Sequence, residues 1–393
     1  MGEGSTLFLT IFFKQVDKVS PPVLVNLGSG LLMDDGMKIT RSLCSLLIFF
    51  PILMSCNESP EGDKRTYRMG FQNSAPRFDD FDMFIQSLNM WSTRADAAMI
   101  TTEVPWKAIF SGTDIVDYVV DNYKGAVDYY HDKNFKLWVY IDPQNGLDRT
   151  ADALDLIAAG KSIADPDVQN VYRRFVFVMD SVLAPDHLGL ALETNLIRSA
   201  APAAIYNGVK QAANLAAQDI LAAKPSANLS VSIQADHAWG RLAGGGYQGV
   251  AQDFTDFPFM KELGISSYPY FGFDTPEEIP SDYYSRLVAG KDIPVFISEG
   301  GWTSASVTTD TRTFTSSPEI QQHYIERQAQ LLSAVKAIGY FQLTFTDIDV
   351  DHLPGDIPAN IAYFAYLGLV DKLFQPKPAL DTWDEIFKRP LTE

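Results

Sequence analysis

Eight short apolar runs, separated by longer stretches of helical pattern, mark residues 67–387. The runs predict strands at Tyr67–Gln72, Ala97–Glu103, Lys136–Asp142, Leu188–Glu193, Asn228–Gln234, Ile265–Tyr268, Val295–Glu299 and Phe341–Thr346. The intervening stretches predict helices at Asp79–Thr93, Asp114–Asn134, Asp165–Leu183, Ala201–Lys224, Thr255–Leu263, Pro280–Leu287, Ser317–Gly339 and Pro378–Phe387. Phe81, Phe84, Ile85 and Leu88 recur at helical spacing. Ser317 reads as an N-cap with Pro318 at the first helical position. Strands that are apolar nearly throughout and alternate with helices imply a parallel sheet covered by those helices. Eight such units favour a closed, single-domain (β/α)8 TIM barrel over an open doubly wound sheet. No glycine-rich fingerprint follows the first run, as a dinucleotide fold requires. Gly244-Gly245-Gly246 falls after the fifth run and reads as a flexible loop.

The 393 residues are 46 % hydrophobic and carry a formal charge of −18. That much apolar side chain argues against disorder. The acidity argues against nucleic acid or an anionic membrane as the main partner, since both need clustered Lys and Arg. An aromatic content of 12 % suits a sugar-stacking cleft as well as a core. The two cysteines, Cys44 and Cys56, both lie near the start, so the remainder holds no disulfide, thiolate metal site or catalytic thiol. The histidines are scattered without a His-x-x-x-His pair. Asp347–Pro358 opens like a Ca²⁺ loop, but His352 stands at its sixth position and Pro358 at its twelfth. No metal and no cofactor is expected, and no Gly-x-Ser-x-Gly elbow is present.

Met37–Arg41 is a short basic start, and an apolar run of about 12 residues follows within Ser42–Met54. That length matches a signal-peptide core and is short of a membrane span of roughly 20 residues. The run ends at Leu53-Met54-Ser55-Cys56, which resembles a bacterial lipoprotein box with cleavage before Cys56 and lipid attached to it. The alternative is a plain secretory signal. The expected organisation is an upstream extension over residues 1–36, a signal peptide over 37–56, a tether over 57–66 and the barrel over 67–393. The product is then an exported monomer, held to a bacterial membrane by lipid alone and facing outside the cytoplasm.

Functional groups of a (β/α)8 barrel sit at the carboxyl ends of its strands. Read there, the chain offers Glu103 and Trp106 after the second strand and Glu193 and Asn195 after the fourth. Asp236, His237 and Trp239 follow the fifth, Tyr268 ends the sixth, and Glu299 and Trp302 follow the seventh. Glu193 closes the run Leu188-Gly189-Leu190-Ala191-Leu192, and Glu299 closes Pro294-Val295-Phe296-Ile297-Ser298. A carboxylate ending a buried strand is costly unless it has a partner or a task. Two of them across a barrel mouth can divide acid and nucleophile roles. Retaining glycosidases need such a pair about 5–5.5 Å apart, and inverting ones about 6.5–9.5 Å.

On these residues the chain resembles the clan A glycoside hydrolases over residues 67–388, a (β/α)8 group with catalytic glutamates after strands four and seven. Pro294-Val295-Phe296-Ile297-Ser298-Glu299-Gly300-Gly301-Trp302 is the most specific stretch. The resemblance implies that Glu299 is the nucleophile, that Glu193 is the acid/base, and that Tyr268 hydrogen-bonds the nucleophile. Ser267-Tyr268-Pro269-Tyr270-Phe271 is similar to the family 53 endo-β-1,4-galactanases in particular. Two departures stand against it. Leu192 occupies the place of the clan's sugar-binding Asn, and Phe345-Thr346-Asp347 lacks the usual strand-eight Trp. Asn195 either takes over the sugar contact or is a turn residue. Trp106, Trp239 and Trp302 are stacking platforms or cover for the barrel end. His237 is a sugar-hydroxyl contact or a satisfied loop residue. Glu103 and Asp236 are sugar contacts, or alternative acids if Glu193 merely caps the following loop. The expected function is a retaining O-glycosyl hydrolase acting on a β-linked, galactan- or mannan-like carbohydrate. The alternative is a non-catalytic carbohydrate-binding barrel of a surface glycan-uptake system.

Overall fold

The computed structural model describes residues 64–242, 244–309, 312–353 and 359–392. The upstream extension, the signal-peptide stretch with Cys56, and the tether as far as residue 63 lie outside the described residues. Eight parallel strands close into a barrel: β1 (Arg68–Gln72), β2 (Ala97–Glu103), β3 (Lys136–Asp142), β4 (His187–Gly189), β5 (Asn228–Gln234), β6 (Glu262–Ser267), β7 (Val295–Gly300) and β8 (Ala337–Gln342). Each strand pairs with its neighbour in sequence, and β8 closes on β1. The chain is a (β/α)8 TIM barrel.

Packing explains the closure. Met99, Trp138, Tyr140, Leu192, Phe296 and Phe341 fill the barrel interior. Trp138 packs edge-on to Phe341 at 5.0 Å and stacks on His187 at 3.8 Å. Tyr140 spans the centre and hydrogen-bonds Ser230 at 2.8 Å. It fits because Gly189 on β4 and Gly264 on β6 carry no Cβ, which would collide with its ring or hydroxyl. Outside, the helices bury their apolar stripes on the strands, as Phe84, Leu88 and Trp91 do from Phe81–Trp91. That helix starts at Asp80, whose carboxylate accepts the Met83 N–H at 3.1 Å.

Several boundaries differ from the sequence reading. β4 leaves its regular ladder after Gly189, although Leu190 N–H still bonds the Ser230 carbonyl and Ser232 N–H the Ala191 carbonyl. The eighth strand begins four residues earlier than its apolar run suggests, because helix Pro318–Ser333 ends before residue 334. Short apolar runs do not separate strand from buried helix by periodicity. The long helix of 114–134 contains a π turn at Val120–Lys124. Residues 255–263 divide between helix Ala251–Asp256 and the start of β6. Within 280–287, one 3₁₀ turn at Ser285–Val288 replaces the expected helix. A hairpin of Gln144–Asn145 with Asp148–Asp152, which has no strand-like pattern, rises after β3.

The two ends of the described chain meet below the strands' amino ends. Arg65 N–H bonds the Pro390 carbonyl at 3.1 Å, and Thr392 N–H bonds the Arg65 carbonyl at 2.9 Å. The Arg65 guanidinium reaches Asp96 at 2.7 Å and the Tyr67 carbonyl at 2.9 Å. At the opposite end, the carboxyl ends of β2, β3, β4, β6 and β7 bring five ionisable side chains together.

Candidate active site

β6 and β7 place the first half of the site. Ser266 and Glu299 are register partners, just past an irregularity between Ile265 and Ser266. Gly300 follows at φ +149°, and a Cβ there would collide with the Ser267 carbonyl. Glycine therefore lets β7 run close to β6 at the point where Glu299 projects. Glu299 keeps part of its surface open to the mouth. β4 supplies the second half. Glu193 has φ +48° and ψ +43°, a left-handed conformation rarely adopted outside glycine. Its N–H bonds the Ser232 hydroxyl at 3.0 Å, and its carbonyl accepts from Leu196 and Ile197. Its side chain makes no cap for the helix Thr194–Ala200 that follows. The carboxylate turns inward instead, and backbone strain of this kind gathers at functional sites.

The two carboxylates meet beside Ser266. Ser266 Oγ donates to Glu193 Oε1 at 2.6 Å, and Ser266 is the register partner of Glu299. A serine hydroxyl has a single proton, and the bond to Glu193 uses it.

A guanidinium grips Glu193 from the far side. Arg149 Nε donates to Glu193 Oε2 at 2.9 Å, and Nη1 donates to Asp142 Oδ2 at 2.6 Å. All three side chains are buried. Asp142 ends β3, opposite Glu103 in the β2–β3 register. One Glu103 oxygen accepts the Gly146 N–H at 3.1 Å. Glu103, Asp142, Arg149, Glu193 and Glu299 thus form a continuous row across the mouth.

The electrostatics follow from crowding. Burial first, then the neighbouring Glu193 charge, push the Glu299 carboxyl well above the ordinary carboxylate range, while Arg149 and Ser266 pull it partly back. Burial and Asp142 push Glu103 up to about 8. Burial also raises Asp142, against the pull of Arg149. Glu103 therefore keeps a proton at neutral pH and Glu299 gains proton affinity, as an acid-base site requires.

The other residues expected at the mouth fall into two groups. Tyr268 lies near the glutamates, and burial first, then the Glu299 and Glu193 charges, raise its hydroxyl, but among the described residues no hydrogen bond joins that hydroxyl to Glu299, contrary to the expectation. The Tyr268 N–H bonds Asp236 at 2.8 Å. Asp236 itself is fully buried and committed to structure, bonded to Tyr268 N–H, Gln234 and the Tyr283 hydroxyl. Asn195 is committed too. Its amide donates to the Gln234 carbonyl at 2.9 Å and its oxygen accepts the Gln234 N–H at 2.8 Å. Leu192 points into the barrel core. His237 bonds Ser199 at 3.0 Å, and burial lowers its proton affinity. Trp302 is buried, bonds Ser316 at 3.1 Å and packs on Tyr324. Trp106 is buried against Phe110. Trp239 stacks on Tyr283 at 5.2 Å and donates to its carbonyl. These three indoles cover the barrel end, and their rings are engaged by protein. Arg149, Asp142 and Ser266 are the residues that sequence reasoning did not single out. Among the described residues, no group of three or more His, Cys, Asp and Glu is arranged to hold a metal ion.

No family model and no curated protein sequence matches the chain. Solved structures do. An exo-β-1,4-mannosidase from an Opitutaceae bacterium superposes with a TM-score of 0.61 at 14 % identity, over 83 % of this chain and 60 % of that one. A GH5 subfamily 18 protein of Bifidobacterium longum, solved in complex with Manβ1-4GlcNAc, gives 0.55 at 17 % identity, over 83 % of this chain and 80 % of that one. A GH1 β-glucosidase of Exiguobacterium antarcticum gives 0.56 at 13 % identity, over 80 % and 88 %. The chain spans about three fifths of the length of the first of these. The likeness is one of fold, the barrel on which these glycoside hydrolases are built.

Proposed function

We propose that the protein is a retaining β-glycoside hydrolase working by double displacement. The observation that carries this is the placing of Glu193 and Glu299 on either side of Ser266, which donates to Glu193 at 2.6 Å and pairs in register with Glu299. Two neighbouring carboxylates at a barrel mouth suit the nucleophile and acid/base pair of double displacement. Glu299 attacks the anomeric carbon and the glycosidic bond breaks, with Glu193 protonating the leaving oxygen. Glu193 then takes a proton from water, whose oxygen displaces Glu299 from the sugar. Before attack, the mechanism needs the proton on Glu193 and the charge on Glu299. The substrate is a β-linked oligosaccharide or polysaccharide of mannan or galactan type. The mannosidase and the Manβ1-4GlcNAc complex among the similar folds favour the first, and the family 53 likeness of Ser267–Phe271 favours the second.

The test is a panel of mannan- and galactan-derived oligosaccharides followed by ¹H NMR of the first-formed product. The β-anomer is expected. First formation of the α-anomer excludes double displacement. Binding without any product shifts the reading to a carbohydrate-binding barrel.

We also propose that the protein is exported and lipid-anchored at Cys56, on the strength of the apolar run and the Leu53–Cys56 box. A clickable fatty acid fed to an expressing bacterium is expected to label the wild type and not Cys56→Ser. Equal labelling of both overturns the anchor.

A further inference from the structure

We infer that Arg149, anchored on Asp142, is the positioning residue that holds the Glu193 carboxylate against Ser266 and opposite Glu299; this rests on the double-displacement reading above. The first support is the geometry of the fork. Arg149 is buried, and it places Nε on Glu193 Oε2 at 2.9 Å and Nη1 on Asp142 Oδ2 at 2.6 Å. A planar guanidinium bonded at two points fixes direction as well as distance, which an ammonium cannot do. The second support is the mounting of the fork. Arg149 leaves a hairpin pinned by three bonds: Gln144 N–H to Asp142 Oδ1 at 3.0 Å, Leu147 N–H to Asn145 Oδ1 at 2.9 Å, and Asn360 Nδ2 to the Leu147 carbonyl at 3.0 Å. The third is what it holds. The left-handed backbone of Glu193 aims the side chain inward, and its two oxygens are claimed from opposite sides by Arg149 and Ser266.

Charge gives the contact a second task. Glu103 of β2, Asp142 of β3, and Tyr268 and Glu299 of β6 and β7 all face this point. His237 lies beyond β5, with Arg198 and Asp253 beside it. Among the described residues, Arg149 is the cation that forms ion pairs with carboxylates of the row. Its charge offsets the repulsion that would otherwise separate Glu193 from Glu299 and pull Glu193 off Ser266.

The experiment compares wild type with Arg149→Met, Arg149→Lys and Asp142→Asn, by the pH profile of kcat/KM and by ¹³C NMR titration of glutamate side-chain carboxyls in the free protein. Glu193→Gln and Glu299→Gln assign the resonances. In Arg149→Met, kcat is expected to fall about 100-fold, the cost of a misplaced reacting group. Both limbs of the profile move to higher pH by about one to three units, because carboxylates lose an adjacent cation. In Arg149→Lys the limbs stay near their wild-type positions while kcat falls, since charge is kept and the fork is lost. In Asp142→Asn the limbs move the other way, because the Asp142 charge raises Glu299. Limbs that stay in place in both Arg149→Met and Asp142→Asn overturn the inference. If Arg149→Met does not fold, Asp142→Asn and Arg149→Lys decide it. The NMR midpoints need no substrate. Midpoints that move in a protein without hydrolytic activity would defeat the hydrolase reading and leave the Arg149 contact standing. Midpoints that do not move overturn the contact whatever the activity.

Discussion

Glu299→Gln is expected to lower kcat/KM on a β-linked oligosaccharide by about 10⁴-fold or more, the order of loss when a nucleophile is removed. The amide is nearly isosteric and cannot form the glycosyl ester. Glu193→Gln is expected to cost about 10²–10⁴-fold, the range of general acid-base catalysis. The two variants should differ in how they respond to the leaving group. An aryl glycoside with an acidic phenol needs little protonation, so Glu193→Gln regains much of its first-step rate and accumulates glycosyl-enzyme. Glu299→Gln regains nothing. Burst kinetics with such a glycoside, read by mass spectrometry of the intact protein, separate the cases. A variant of either residue that keeps near wild-type turnover would remove that residue from the mechanism.

The largest effect on stability is expected from Lys377→Met. Lys377 Nζ reaches Asp347 Oδ1 at 2.5 Å, Ser304 Oγ at 2.8 Å and the Gly368 carbonyl at 2.8 Å, in a site where both charged side chains are at most 10 % exposed. It ties the loop after β8 to the segment that leads into helix Pro378–Phe387. Methionine fills the space and leaves Asp347 buried without its cation, at a cost of about 3–5 kcal/mol. Thermal unfolding should fall by roughly 5–15 °C at pH 8. The loss should shrink towards pH 5. Burial holds the Asp347 carboxyl up at about 6, so the folded protein binds a proton there more readily than the unfolded chain does. Stability linked to that proton is present at low pH and lost as pH rises through this value. Adding Asp347→Asn to Lys377→Met should recover part of the loss at pH 8, because an amide carries no charge to strand. A loss independent of pH, with no recovery in the double variant, would assign the effect to packing alone.

Much of this was readable from the residues in order. Strands that end in a carboxylate, Leu188–Glu193 and Val295–Glu299, marked both glutamates, because a buried apolar run cannot tolerate that ending by accident. The neighbours of these glutamates were less legible. Arg149 sits in Gln144–Asp152, a polar stretch with neither helical nor strand periodicity, and its partner Glu193 lies 44 residues away. Ser266 is one of two adjacent serines, and the register irregularity that selects it over Ser267 has no signature in the chain. The tryptophans show the opposite error. Position after a strand said that Trp106, Trp239 and Trp302 belong to the barrel's upper end, and it could not say which way each ring turns. Phe110, Tyr283 and Tyr324 settle that by packing on them. Asn195 stood near Glu193 in sequence, but the backbone of Gln234 takes both ends of its amide.

The clasp between Arg65 and residues 390–392 has a practical consequence. Chain entering at Arg65 and chain leaving at Thr392 come together at the barrel's lower rim, while the carboxylate row opens at the upper one. A reporter, a surface linkage or a fused module attached through either end therefore hangs on the side away from the carboxylate row. The same closeness makes the molecule a good subject for circular permutation. A short bridge joining the two ends leaves a continuous barrel, which can be reopened in a solvent-exposed loop at the base without touching the row at the mouth.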